Sequence, residues 1–127
     1  MTLMSPPKAP DRLSPIDLDH LVKQVSGDRG VLIEILTLYH TLAPRYLSAL
    51  EHSTTLAQLG ERLHVLKSAA AGIGAWGVQD RARQIELNLK KGRPLDPEWI
   101  DDLAVTVEEG VRYIEALMES GERLPGS

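Results

Sequence analysis

The sequence contains no cysteine and no phenylalanine, and its aromatic complement is two Trp and three Tyr in 127 residues. Without cysteine there are no disulfides, thiolate zinc sites, iron–sulfur ligands or cysteine nucleophiles, and a reducing cytoplasm is the expected compartment. No apolar run approaches the roughly 20 residues that cross a bilayer, so a membrane span is excluded. The opening residues carry Pro6, Pro7 and Pro10 and no apolar stretch, so a signal peptide is not expected. Lys and Arg number 14 against 18 Asp and Glu, giving a net charge of −4. The basic footprint of a nucleic-acid binder is therefore missing. Segments of period two bounded by turn residues are missing as well, which argues against a sheet.

What is present is enough for one small domain with one core: 43% of residues are hydrophobic and 25% charged, an ordinary globular balance. Leu and Ala are abundant, and the apolar positions recur at helical spacing. The expected organisation is a Pro-rich tail over residues 1–13, a helical domain over 14–121 and a frayed end over 122–127. Ser14, followed by Pro15, reads as the cap of a short first helix through Leu18, Leu21, Val22 and Val25 that stops at Gly27. Asp28 caps a second helix bearing Val31, Leu32, Ile35, Leu38, Leu42, Tyr46, Ala49 and Leu50, with a kink expected between His40 and Pro44. Ser53, Thr54 and Thr55 form a turn and cap for a third helix, whose seam is Leu56, Leu59, Leu63, Leu66, Ala70 and Ile73. Gly72, Gly74 and Gly77 loosen the chain before a fourth helix with Val78, Ala82, Ile85 and Leu89 inside, ending at Gly92. Asp96 caps a fifth helix, with Pro97 in its first turn, that runs through Ile100, Leu103, Val107, Val111, Ile114 and Leu117. Short links and four long amphipathic helices predict an all-α fold, an antiparallel up-and-down four-helix bundle with an additional short N-terminal helix.

A bundle fills its inside with seam residues, so function is sought on an outer face. At the helical turn of about 100° per residue, His64 points about 140° away from the seam of the third helix and faces solvent. Gly60 and Ser68 lie one turn away, Ala71 two turns away, Glu61 three residues before and Lys67 three residues after. An exposed neutral imidazole is a nucleophile, and a flat patch of small residues lets another protein approach it. Lys67 suits compensation of phosphate charge, being a mobile point charge.

The stretch His64-Val65-Leu66-Lys67-Ser68-Ala69-Ala70-Ala71-Gly72-Ile73-Gly74-Ala75 resembles the signature of histidine phosphotransfer (HPt) domains, the intermediates of two-component phosphorelays. In that family a His is followed by a Leu, a Lys and a small residue, then by Gly-Ala at the helix end. The likeness continues at Val78, Ala82, Ile85 and Glu86, where the family has an apolar residue, a small one and a Leu-Glu pair, and upstream at the helix containing Pro44. Ser68 stands where the family most often has Gly. The resemblance implies that His64 is the phosphoacceptor, that Lys67 assists the phosphate, and that Gly60, Glu61, Ser68 and Ala71 belong to a face docking receiver domains. Leu66, Gly74 and Ala75 are then structural members of the motif. The implied partners are response-regulator receiver domains, a hybrid histidine kinase, or both. No cofactor of its own is expected, Mg²⁺ coming from the partner receiver.

Other features of the sequence have simpler readings. Five cations, Arg81, Arg83, Lys90, Lys91 and Arg93, precede Pro94, and Glu98, Asp101, Asp102, Glu108, Glu109, Glu115, Glu119 and Glu122 follow it; they read as the outer faces of neighbouring antiparallel helices. His20, His40 and His52 show no metal-ligand spacing, and no metal site is expected. Gly72, Gly74 and Gly77 lack the strand before and the Gly-Lys-Ser/Thr after that a phosphate loop needs, so a nucleotide site is not expected; with no second domain or long dimerising hairpin read from the sequence, neither is autokinase activity. Trp76 and Trp99 read as caps on the core. A monomer is expected, because no surplus apolar face stands out beyond the seams. The competing function is an HPt-like adaptor that binds a receiver or kinase without transferring phosphate.

Overall fold

The computed structural model describes residues 14–120, and the expected tails over 1–13 and 122–127 lie outside them. The described residues are all-helical: α1 is Leu18–Gln24, α2 Arg29–Glu51, α3 Leu56–Ile73, α4 Trp76–Lys90 and α5 Pro97–Ser120. α2 packs on α3 and α5, and α4 packs on the same two, so the four long helices close a ring; α1 lies against α3. No helix among the described residues is long and apolar enough to cross a membrane.

Three of the expected caps hold. The Asp28 carboxylate accepts from the Val31 N–H at 3.2 Å, Thr55 Oγ1 accepts from the Gln58 N–H at 3.1 Å, and Asp96 accepts from the Glu98 N–H at 2.9 Å. The first cap does not. α1 starts at Leu18 behind Asp17, whose carboxylate accepts from the His20 N–H, while the Ser14 hydroxyl donates to the Ile16 carbonyl in the bend before it. Both Ser14 and Asp17 are good caps, and tertiary contacts select Asp17. It is buried at 7% exposure, its carboxylate takes a hydrogen bond from Trp76 Nε1 at 3.0 Å, and its N–H donates to the Gly74 carbonyl at 2.9 Å. The His20 ring meets Trp76 edge-on with centroids 4.8 Å apart. Trp76 thus sits, half-buried, at the junction of α1 with the α3–α4 turn.

The core contains Leu59, Leu63, Leu66, Ala70 and Ile73 from α3, Val78, Ala82 and Ile85 from α4, and Leu103, Val107, Ile114 and Leu117 from α5. Two seam expectations are corrected. Leu56, the first residue of α3, is 65% exposed and borders an open groove with Leu50 and Ile100. On α2 the buried stripe is Leu32, Leu36, Tyr39, Ala43 and Leu50, whereas Val31, Leu38 and Ala49 are exposed and Ile35, Leu42 and Tyr46 half-buried. Two adjacent stripes of α2 are apolar, and only one fits into the ring. The premise for a monomer, that no apolar face is left over, therefore fails at Val31 and Leu38. α2 continues helically through Pro44. Tyr39 carries a buried hydroxyl with no hydrogen-bond partner, and burial pushes its phenol pKa up.

The glycine segment is tighter than expected. Gly72 lies inside α3, Gly77 inside α4, and only Gly74 and Ala75 separate the two helices. Gly74 has φ +81°, its N–H donates to the Ala71 carbonyl, and the Ala75 N–H donates to the Ala70 carbonyl at 2.8 Å. This is a Schellman closure, which satisfies two terminal carbonyls of α3. A Cβ at Gly74 would also stand 3.0 Å from the Asp17 carbonyl oxygen, whereas one at Gly72 would meet nothing within 4 Å. The two neighbouring glycines should therefore answer oppositely in urea denaturation. Gly74→Ala is expected to lose about 2 kcal/mol or more through left-handed strain and displacement of the Asp17 backbone. Gly72→Ala is expected to gain roughly 0.5–1 kcal/mol from helix propensity.

Candidate functional site

α3 presents the predicted face as expected. Leu63 and Leu66 are fully buried, and this anchors the rotation of the helix so that His64 is exposed. Glu61 and Ser68 are exposed beside it, and Gly60 and Ala71 are half-buried on the same side. A Cβ at Gly60 would meet nothing, so that glycine leaves open space one turn from His64. Val65, next along the chain, is 45% exposed and adds an apolar element to the rim. Leu66, Gly74 and Ala75 are buried, Leu66 in the core within α3 and Gly74 and Ala75 in the turn that follows it.

Lys67 departs from expectation in one respect. Its ammonium donates to Glu86 Oε1 at 2.7 Å, joining α3 to α4, with 26% of the Lys67 side chain and 15% of the Glu86 side chain exposed. A charge-assisted contact this short in a half-buried place is less screened than a surface pair. The spacing in the sequence, 19 residues, gives no hint of it. It follows from the two-residue turn, which sets α3 and α4 side by side in opposite directions and brings Glu86 level with Lys67. Glu86 was legible as half of an apolar–Glu pair, and its connection to Lys67 was not.

The remaining histidines have local roles. His40 Nε2 lies 2.8 Å from Glu115 Oε2 between α2 and α5, and His52 Nδ1 lies 2.7 Å from the Ser48 carbonyl at the end of α2. Among the described residues no three His, Cys, Asp or Glu side chains gather in a way that could hold a metal. The basic cluster of α4 is partly absorbed by acids, with Arg81 3.9 Å from Asp102 of α5 and Arg83 3.3 Å from Asp80 of its own helix. A groove of about 540 Å³ between the α2–α3 turn and the start of α5 is lined by Leu50, Leu56, Leu59, Leu95 and Ile100, and His64 has no part in it. His64 stands on an open helix surface, where a nucleophile can meet a reacting group only if another molecule brings it.

A family model described as Hpt domain matches residues 34–120, most of the chain and all of α3, α4 and α5. The chain belongs to the Hpt domain family. No curated protein and no solved structure matches it. Membership places this Hpt domain in phosphotransfer within two-component signalling, among phosphocarriers whose interactions are with receiver domains and kinases. The matched span holds His64, Lys67 and Glu86, while α1 and the first turn of α2 lie before it.

Exposure of His64 and burial of the Lys67–Glu86 pair predict different stability effects. His64→Ala should leave the urea midpoint within about 0.5 kcal/mol of the parent, as expected for an open surface position. Lys67→Met, which leaves the Glu86 carboxylate half-buried without its partner, should cost roughly 1 kcal/mol.

Proposed function

We propose that His64 is the phosphoacceptor of this Hpt domain and carries a phosphoryl group between receiver-domain aspartates in a two-component phosphorelay. The observation that carries the reading is the exposed imidazole of His64 on a face cleared by Gly60, Ser68 and Ala71, in a chain matched along α3 by the Hpt family. A receiver's aspartyl phosphate can approach such a face without side chains in the way. The lone pair of one ring nitrogen forms the P–N bond as the P–O bond to the aspartate breaks. The aspartate leaves as a carboxylate, and the ring keeps its other N–H as the phosphorylated imidazolium. Return to a second receiver is the same step reversed.

Phosphoryl transfer depends mainly on position and on compensation of charge. This domain supplies the nucleophile and one cation, Lys67. The receiver supplies the phosphoryl group, its carboxylate pocket and its Mg²⁺, and this chain needs no cofactor of its own. The domain acts as a carrier and takes its phosphate from a receiver or hybrid kinase, without autokinase activity. Gly60, Glu61, Ser68 and Ala71 form the docking face. The observed helix pairings support an antiparallel up-and-down four-helix bundle with α1 as an additional helix, and the lack of cysteine fits a reducing cytoplasm.

Incubation with a labelled, phosphorylated receiver domain and Mg²⁺ tests the assignment. The parent should take up a phosphate that is labile in acid and stable in base, and His64→Gln should take up none while still binding the receiver. Undiminished uptake by His64→Gln would remove His64 as the acceptor. Receiver binding by both proteins with uptake by neither would favour the adaptor reading.

A further inference from the structure

Lys67 is the cation beside His64, and its charge is already engaged. Its ammonium lies 2.7 Å from Glu86 Oε1, three residues along α3 from the imidazole, in a place where 15% of the Glu86 side chain is exposed. A phosphoryl group on His64 brings a nearly doubly negative charge to the same neighbourhood. Lys67 has three donors, so it can turn toward the phosphoryl oxygens, but its positive charge is then shared between two anions.

Building on the assignment of His64 as phosphoacceptor, we propose that Glu86 is a positioning residue that competes with the phosphoryl group for Lys67 and so keeps the phosphorylated His64 a ready donor. In the unphosphorylated protein the pair fixes the Lys67 side chain across the α3–α4 groove. In the phosphorylated protein it withholds part of the charge compensation that would stabilise the product. A carrier needs this balance, because a phosphoryl group held tightly on His64 would not pass to the next receiver. Glu86 touches neither the reacting nitrogen nor the phosphorus, and its effect runs through Lys67.

The test is the equilibrium partition of label between His64 and the aspartate of a receiver domain loaded with labelled acetyl phosphate and Mg²⁺, measured for the parent, Glu86→Gln, Lys67→Met and the double variant. Glu86→Gln keeps the shape and an acceptor for Lys67 while removing the negative charge. It should shift the partition toward phosphorylated His64 by roughly three- to tenfold, the scale of a partly screened ion pair. In the Lys67→Met background the same substitution should shift it by less than about twofold, since the competition is gone. Circular dichroism and urea midpoints confirm that each variant is folded before partition is compared. A Glu86→Gln protein that loads more slowly in both directions with an unchanged partition would overturn the proposal, leaving Glu86 as a support for Lys67 alone. A shift that persists undiminished without Lys67 would overturn it as well, because the carboxylate would then act directly. A parent protein that takes up no phosphate at all would remove the His64 assignment, and this inference with it. That result is distinguishable, since it appears before any Glu86 variant is compared.

Discussion

The two-residue reversal at Gly74 and Ala75 constrains more of this molecule than any other local feature. A chain that leaves α3 at Ile73 and enters α4 at Trp76 has little freedom in how the helices are set against each other. The reversal requires a left-handed residue, and Gly74 supplies it. Its lack of a side chain then admits the Asp17 backbone, so that α1 closes over the turn, and Asp17 ties Trp76 into the same knot. From that fixed end the register of α4 against α3 follows, and with it the meeting of Lys67, about two turns before the reversal, with Glu86, about three turns after it.

The site exists because of what the helix does not build around it. Packing of Leu63 and Leu66 into the core turns His64 outward, and the small residues at 60, 68 and 71 keep the surroundings low. An enclosed active site would need walls, a base and a place for the phosphate. The domain has an open helix face with one ion pair beside it, an arrangement suited to chemistry completed at an interface. The electrostatics point the same way. Half-burial leaves the Lys67–Glu86 contact less screened than a surface pair, one helical turn from His64.

Much of this was legible in the sequence, for reasons that differ from element to element. The seam of α3 was legible from Leu59 to Ile73 because only one of its faces is apolar, and the position of His64 followed from it. Asp28 and Asp96 were legible as caps because each directly precedes its helix, and Thr55 as the last residue of the polar run that opens α3. At the first helix two caps competed, and the choice of Asp17 over Ser14 depended on contacts with Gly74 and Trp76, more than fifty residues away in the chain. On α2 the apolar residues fill two stripes, so periodicity could not say that Leu32, Leu36 and Tyr39 face inward while Val31 and Leu38 stay out. Leu56 fits the spacing of its helix, but at the first residue of α3 it borders an open groove instead of the core. The Lys67–Glu86 pair could not be read at all, since it needs the register of two helices.

The role proposed for His64 is to carry the phosphoryl group and give it up again. Phosphorus NMR of this Hpt domain mixed with a phosphorylated receiver, before and after addition of a second, unphosphorylated receiver, tests it most directly. The account predicts a phosphoramidate resonance that appears on the first mixing, correlates with the ring protons of His64, and decays on addition of the second receiver. A resonance correlated with His20, His40 or His52, or one that the second receiver leaves unchanged, would contradict it.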